Sequence, residues 1–316
     1  MNFWVILAIC LILIGAIVFV GVMTKLNWNF EKLSTVKYVT NTYEISNAVT
    51  DVLIDADCGD VDVVYAKDGF CKVVCREEEN LRYGVSVCDG KLTIELTDNR
   101  AWYQHLKIGF GSTAVTVYLP ENKYSSFTAR TSAGDIQIPQ AFTFGELDVT
   151  ATTGNIDLRA NVTGTAACKV TTGNIRVENV SAGDLQLSAS TGHIDGEAVI
   201  CAREMAVRIS TGNIRLAGVQ CGIFQATGKT GDAKLTEVIA SGKMQVELTT
   251  GDVELERCNA GELFLKTSTG DIEGSLLTEK VFHATTRTGS VEVPKTVTGG
   301  ICEVITATGN IKLTIG

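Results

Sequence analysis

Several things are scarce in this chain. It has only 3 prolines and 3 histidines among 316 residues, and aromatic residues make up 7%. With so few prolines, and with 31 glycines in a chain of ordinary apolar content, extended low-complexity disorder is excluded. Few aromatics argue against a bulky globular core; small, β-branched and aliphatic residues must fill a thin one instead. Positive charge is also short, with 27 Lys and Arg against 36 Asp and Glu, a net −9. That balance lacks the basic footprint of a nucleic-acid-binding protein. Nucleophile-elbow and phosphate-loop patterns are missing. Gly109-Phe110-Gly111-Ser112 has neither the spacing nor the following helix that they need.

Charge is missing altogether from Phe3 to Met23. An uncharged apolar helix of that length spans roughly 30 Å, the hydrocarbon thickness of a bilayer. Trp4 and Trp28 flank it as interfacial aromatics do. A cleaved secretory signal fits less well, because no Lys or Arg precedes the run, the run is long, and no small-x-small site follows. Residues 1–24 are therefore expected to be a transmembrane anchor and 25–35 a linker. Lys25, Lys32 and Lys37 follow the segment, which by the positive-inside tendency favours a cytoplasmic C-terminal part. Their pull is weak, since long domains translocate regardless of charge.

What the chain has in abundance is repetition. Thr-Gly pairs end at Gly154, Gly173, Gly192, Gly212, Gly231, Gly251, Gly270, Gly289 and Gly309, always 19 or 20 residues apart, and Ala133-Gly134 begins the series. Apolar residues recur two positions after each glycine and, except at Gly196 and Gly274, four positions after it, as in Ile156/Leu158 and Ile214/Leu216. They recur again seven and five positions before it, as in Met205/Val207 and Leu263/Leu265. Period-two alternation means strands with one buried face. Each repeat then holds two short strands joined at a Gly-Asn or Gly-Asp corner that requires positive φ. A unit this small cannot bury its inner face alone, so units stack as coils. The expected fold is all-β: a single-stranded parallel β-helix, or β-solenoid, of 19–20-residue two-strand coils over 132–316. About ten coils at the inter-strand spacing give a rod roughly 50 Å long. By parity the corner threonine points inward, predicting a threonine stack along that edge.

Residues 36–131 are less regular. Strands are expected at 51–54, 61–65, 71–75, 91–96 and 114–119, with Asp57-Cys58-Gly59-Asp60-Val61 as a degenerate early corner. We expect this region to form irregular coils that cover the open end of the stack, which would otherwise be an unpaired sheet edge.

The corner strings Thr-Thr-Gly-Asn-Ile-Asp-Leu (152–158) and Ser-Thr-Gly-Asp-Ile-Glu-Gly (268–274) resemble a bacterial β-strand-repeat family known as putative adhesins. So does Val115-Thr116-Val117-Tyr118-Leu119-Pro120 before Ser132-Ala133-Gly134-Asp135-Ile136. The resemblance spans roughly 36–316. It implies a β-solenoid, often on a membrane-anchored protein of the bacterial envelope, and brings no catalytic residue with it.

No cofactor, no metal and no catalytic residue is expected. Of the 10 cysteines, Cys168, Cys258 and Cys302 fall on core positions. Cys201 and Cys221 should stack in adjacent coils, within reach of a disulfide if geometry allows. Cys58, Cys71, Cys75 and Cys88 cluster in the cap. Cys71 and Cys75 lie too far apart along one strand to share an ion, so packing or one disulfide is expected there. Asp232, Asp252 and Asp271 fall in the polar column after the corner glycine. They could offer stacked carboxylates to a hard cation, but Asn and Asp are also what such a corner prefers. His193 sits in that column and His283 on an outward strand position. The one irregular segment, Asn99–Thr113, carries Arg100, Trp102, Tyr103, His105 and Lys107. It is the candidate loop for a protein or glycan ligand, with packing on the first coil as the plain alternative. Nearly invariant periods leave no room for the long loops that form the groove of a carbohydrate-active β-helix enzyme. The expectation is a non-enzymatic binding or structural module at the cell surface, tethered to the membrane through its N-terminal helix. A cytoplasm-facing regulatory scaffold is the alternative.

Overall fold

The computed structural model describes residues 3–29, 37–79, 81–98 and 112–316. One helix, Phe3–Lys25, precedes an all-β body. Its charge-free run is long and apolar enough to cross a membrane.

The body is a parallel β-solenoid of about ten turns. Each corner glycine adopts a φ between 127° and 148°, a region that side chains of L-residues rarely enter. The geometry is also too tight for anything larger, since the carbonyl of the next glycine in the stack lies against each Cα. Neighbouring coils are in register through the corner, with Thr153, Thr172, Thr191, Thr211, Thr230, Thr250 and Thr269 aligned in order. The residue after each glycine locks the register. Its side chain accepts a hydrogen bond from the corresponding backbone N–H one coil on, from Asp135 to Asn155 (2.7 Å), Asn174, His193, Asn213, Asp232, Asp252 and Asp271. His193 takes its place in this ladder by accepting at Nδ1 (3.2 Å).

Inside, the coil of Gly212 is representative. Met205, Val207, Ile209, Ile214, Leu216, Val219 and Cys221 are all buried. In the five coils from Gly173 to Gly251 the second strand bends sharply six residues after the glycine. Asn179, Ala198, Gly218, Glu237 and Arg257 stack at that bend with φ of 52–64°. Asn and Gly tolerate this left-handed conformation, whereas Ala, Glu and Arg are strained by it. Ala198 is exposed, so Ala198→Gly is expected to raise stability by about 1 kcal/mol. An unchanged denaturation midpoint would contradict that strain.

Two expectations are corrected. The corner threonines do not point inward; they are exposed, because the chain has begun to turn before the glycine and parity no longer applies. The inward threonines stand two residues earlier, at Thr131, Thr267, Thr286 and Thr306. Each donates its hydroxyl to the corner glycine carbonyl of the adjacent coil, at 2.9–3.1 Å.

Nor do the coils stack in sequence order throughout. The last strands, Gly300–Thr308 and Ile311–Ile315, lie between the Gly270 and Gly289 coils. The polar ladder follows that order too, with Asn310 N–H bonding Asp271 and Ser290 N–H bonding Asn310. At the other end, Asp51–Asp55 and Asp60–Tyr65 insert between the coil of Lys123–Ile138 and the strands Lys91–Asp98 and Ala114–Leu119. The degenerate corner at Gly59 is thus a genuine one (φ 138°), and Asp135 N–H bonds Asp60. Each end threads one coil between two that are neighbours in sequence.

Beyond these layers the N-terminal end changes character. Cys71–Glu78 runs antiparallel to Ala114–Leu119, and Tyr38–Ile45 antiparallel to Cys71–Glu78. Leu81–Cys88 pairs antiparallel with Lys91–Asp98. Glu77 is fully buried there, and its carboxylate accepts from Tyr83 N–H (2.6 Å) and from Asn41. Tyr124, Phe127, Phe142 and Phe144 pack together nearby, with ring centroids 5.1–6.3 Å apart.

Candidate binding surface

The wall of the rod formed by the second strands is concave, and in the middle coils the bend borders it. Outward residues three and five positions after each corner glycine line it. Three depressions run along it, of about 350, 400 and 390 Å³. The first is bordered by Asp62, Thr116, Gln137, Asp157 and Arg159, the second by Arg176, Asp195, Glu197 and Arg215, and the third by Glu254, Glu256, Glu273 and Lys312. Lys234 is shared by the second and third, so those two form one groove along the rod axis.

Charges along this wall are largely paired with one another, within a coil or between neighbouring coils. Arg159 lies between Asp157 (3.1 Å) and Glu178 (3.3 Å), and Arg176 also reaches Glu178 (3.3 Å). Arg215 pairs with Asp195 at 3.5 Å and Lys234 with Glu254 at 2.8 Å. At one end, burial and the nearby carboxylates of Asp60 and Asp135 raise the pKa of Asp62. Such a wall repeats its functional groups once per coil, about every 4.8 Å. It suits an extended chain laid along the rod better than one compact molecule.

The residues singled out in the sequence fall as follows. Arg100, Trp102, Tyr103, His105 and Lys107 lie outside the described residues. The flanking strands Lys91–Asp98 and Ala114–Leu119 pair with Asp51–Asp55 and Asp60–Tyr65 as the two strands of one layer. Asp232, Asp252 and Asp271 are committed to the corner ladder. Among the described residues no three His, Cys, Asp or Glu side chains converge as metal ligands would.

Every cysteine is a free thiol. Burial pushes Cys71 up to about 11 and Cys75, Cys168, Cys201, Cys221 and Cys302 up to about 12. Cys258 is buried and raised as well. Such thiols carry almost no thiolate at neutral pH. In the native solenoid only the exposed Cys58 and Cys88 should react with a maleimide, the seven buried thiols following on unfolding. Prompt native labelling of Cys201 or Cys221 would contradict their burial in the core.

Comparison with known proteins settles the family. The model of the family described as Toastrack DUF4097 matches residues 52–314. The chain belongs to the Toastrack DUF4097 family. A solved structure from Parabacteroides distasonis, titled a putative adhesin, has a TM-score of 0.50 at 15% identity. It covers 89% of this chain and 98% of its own. A second putative adhesin, from Parabacteroides merdae, has a TM-score of 0.48, again at 15% identity with 89% and 98% covered. At 15% identity the first of these likenesses carries the fold alone. The search of curated proteins finds no match.

The groove itself was not anticipated from the Toastrack sequence. Its outward residues vary from coil to coil, and the residues at the bend that borders it share no chemistry. The only available signal was the position six after each glycine, where Asn179 and Gly218 both tolerate a left-handed turn.

Proposed function

We propose that this Toastrack chain is a non-enzymatic rod, tethered by its N-terminal helix, that presents a binding surface at the cell envelope. The observation that carries this reading is the continuous concave wall, repeated coil after coil with its charges paired rather than gathered at one centre. Its ligand class would be an extended protein segment or glycan, with Arg100, Trp102, Tyr103, His105 and Lys107 as a second contact. A helix long and apolar enough to span a bilayer supports the tether, and a structural neighbour titled a putative adhesin supports a surface role.

Lys25, Lys32 and Lys37 just after the helix favour the other reading, a cytoplasm-facing scaffold. Cys88 separates the two, because it is exposed beside the turn at Asp89-Gly90. In a Cys10→Ser, Cys58→Ser variant, a membrane-impermeant maleimide should label Cys88 on intact cells. Labelling only after lysis would place the rod in the cytoplasm and sink the adhesin-like reading.

A further inference from the structure

The two ends of the rod are finished differently. Antiparallel strands close the N-terminal end, whereas the parallel stack at the other end stops at the Gly289 coil. Lys280–Thr288 pairs with Gly300–Thr308 along one edge only, among the described residues. Its inward side chains are those in register with Cys302, Val304 and Thr306, namely Phe282, Ala284 and Thr286. Cys302 and Val304 are fully buried, while Phe282 and Ala284 are only partly so. On the second strand Ile311 is fully buried, and its neighbour Val291 is 42% exposed. The apolar interior is therefore cut across at this end and bordered by an unpaired strand edge, which is a template for another strand.

We propose that this end pairs with the same end of a second copy, strand Lys280–Thr288 running antiparallel to itself about Ala284, to give a continuous rod of double length. The sequence of the strand is self-complementary in that register. Phe282 faces Thr286 of the second copy and Ala284 faces Ala284, so inward positions meet inward positions and the core runs through. Lys280 falls opposite Thr288, Arg287 opposite Val281 and His283 opposite Thr285, so no like charges meet, although all three charged or titratable side chains of the strand are basic. Reversal of the strand also turns the cross-section over. The second strand of one copy, with Val291, then covers the 294–299 side of the other. Val297 is 91% exposed there, the most exposed large apolar residue described. A contact of one patch with itself closes as a two-fold dimer and does not propagate.

The test uses the full chain in detergent, with Cys10, Cys58 and Cys88 changed to serine. Analytical ultracentrifugation should show a dimer. Ala284→Cys in that background should form an intermolecular disulfide on mild oxidation, since facing residues of an antiparallel pair lie close together. Val297→Lys, at a site too exposed to unsettle the monomer, should weaken dimerisation at least about 10-fold, a loss of about 1.4 kcal/mol. A monomer at all concentrations overturns the proposal. So does a dimer that neither cross-links through position 284 nor responds to Val297→Lys, because it would be joined through another face or through the helix. A different protein held at this end in place of a second copy overturns it as well.

Discussion

Gly212→Ala should break the rod in its middle, lowering stability by about 3 kcal/mol or more. The new Cβ would sit 1.6 Å from the Gly192 carbonyl oxygen and 3.3 Å from Ile209 Cδ1, in a backbone conformation with φ of 132°. Relief would require the Gly192 and Gly212 coils to separate, which sacrifices the corner hydrogen bonds on both. Gly218→Ala in the same coil is the control. Its φ is 64°, and a Cβ there meets nothing closer than 3.8 Å. It should cost only about 1 kcal/mol. Chemical denaturation of the two variants checks the contrast, and equal losses would mean that coil contact at the corner is not what demands glycine. In a solenoid each coil touches only its neighbours, so the first variant should melt as two segments flanking the lesion.

Phe144→Ala should cost about 3–5 kcal/mol. The ring is fully buried and packs 5.1 Å from Phe127, 5.8 Å from Tyr124 and 6.0 Å from Phe142. The backbone around it is held by parallel pairing on both sides, to Lys123–Ala133 and to Asn161–Thr172, so the walls cannot collapse into the space left behind. This cluster sits where the irregular N-terminal layers meet the regular coils. Its loss should therefore uncouple the two, with residues 38–119 unfolding before the rest. A shift of the midpoint corresponding to less than about 1 kcal/mol would show that the aromatic cluster is dispensable.

Much of this architecture was legible because one constraint recurs. Every coil must turn where a neighbouring backbone leaves no space, so glycine marks each turn, and in all but the Gly192 and Gly289 coils Asn or Asp follows it in the polar column. The alternation around Ile214 and Leu216 then assigns the buried face directly. Parity failed at Thr211 and its counterparts because alternation assumes a straight strand, and the corner has already begun there. The bend six residues after the glycine escaped notice because Ala198, Glu237 and Arg257 occupy it without chemistry suited to it. The threading of the ends was hidden for a deeper reason. All coils share one pattern, so the strand Gly300–Thr308 fits on Val253–Thr269 as well as it would fit after Lys280–Thr288. Only geometry specific to the ends decides. One such feature is the break at Pro294 to Gly299, where Gly299 lies against the Glu279 carbonyl. The groove depends on how the outward residues of successive second strands come together, which the repeat pattern does not specify.

The threaded stack is the central claim, and amide hydrogen exchange tests it most directly. Residues 302–306 come last in sequence but lie inside the rod, paired on both edges. Residues 280–288 precede them but form the outer layer, paired on one edge. If the coils are threaded as described, the amides of Cys302, Val304 and Thr306 will exchange far more slowly than those of Phe282, Ala284 and Thr286. The dimer proposed above would slow the second set without reversing the order. Faster exchange at 302–306 than at 282–286 would mean that the coils stack in simple sequence order with the last one outermost, and the account of both ends would fail.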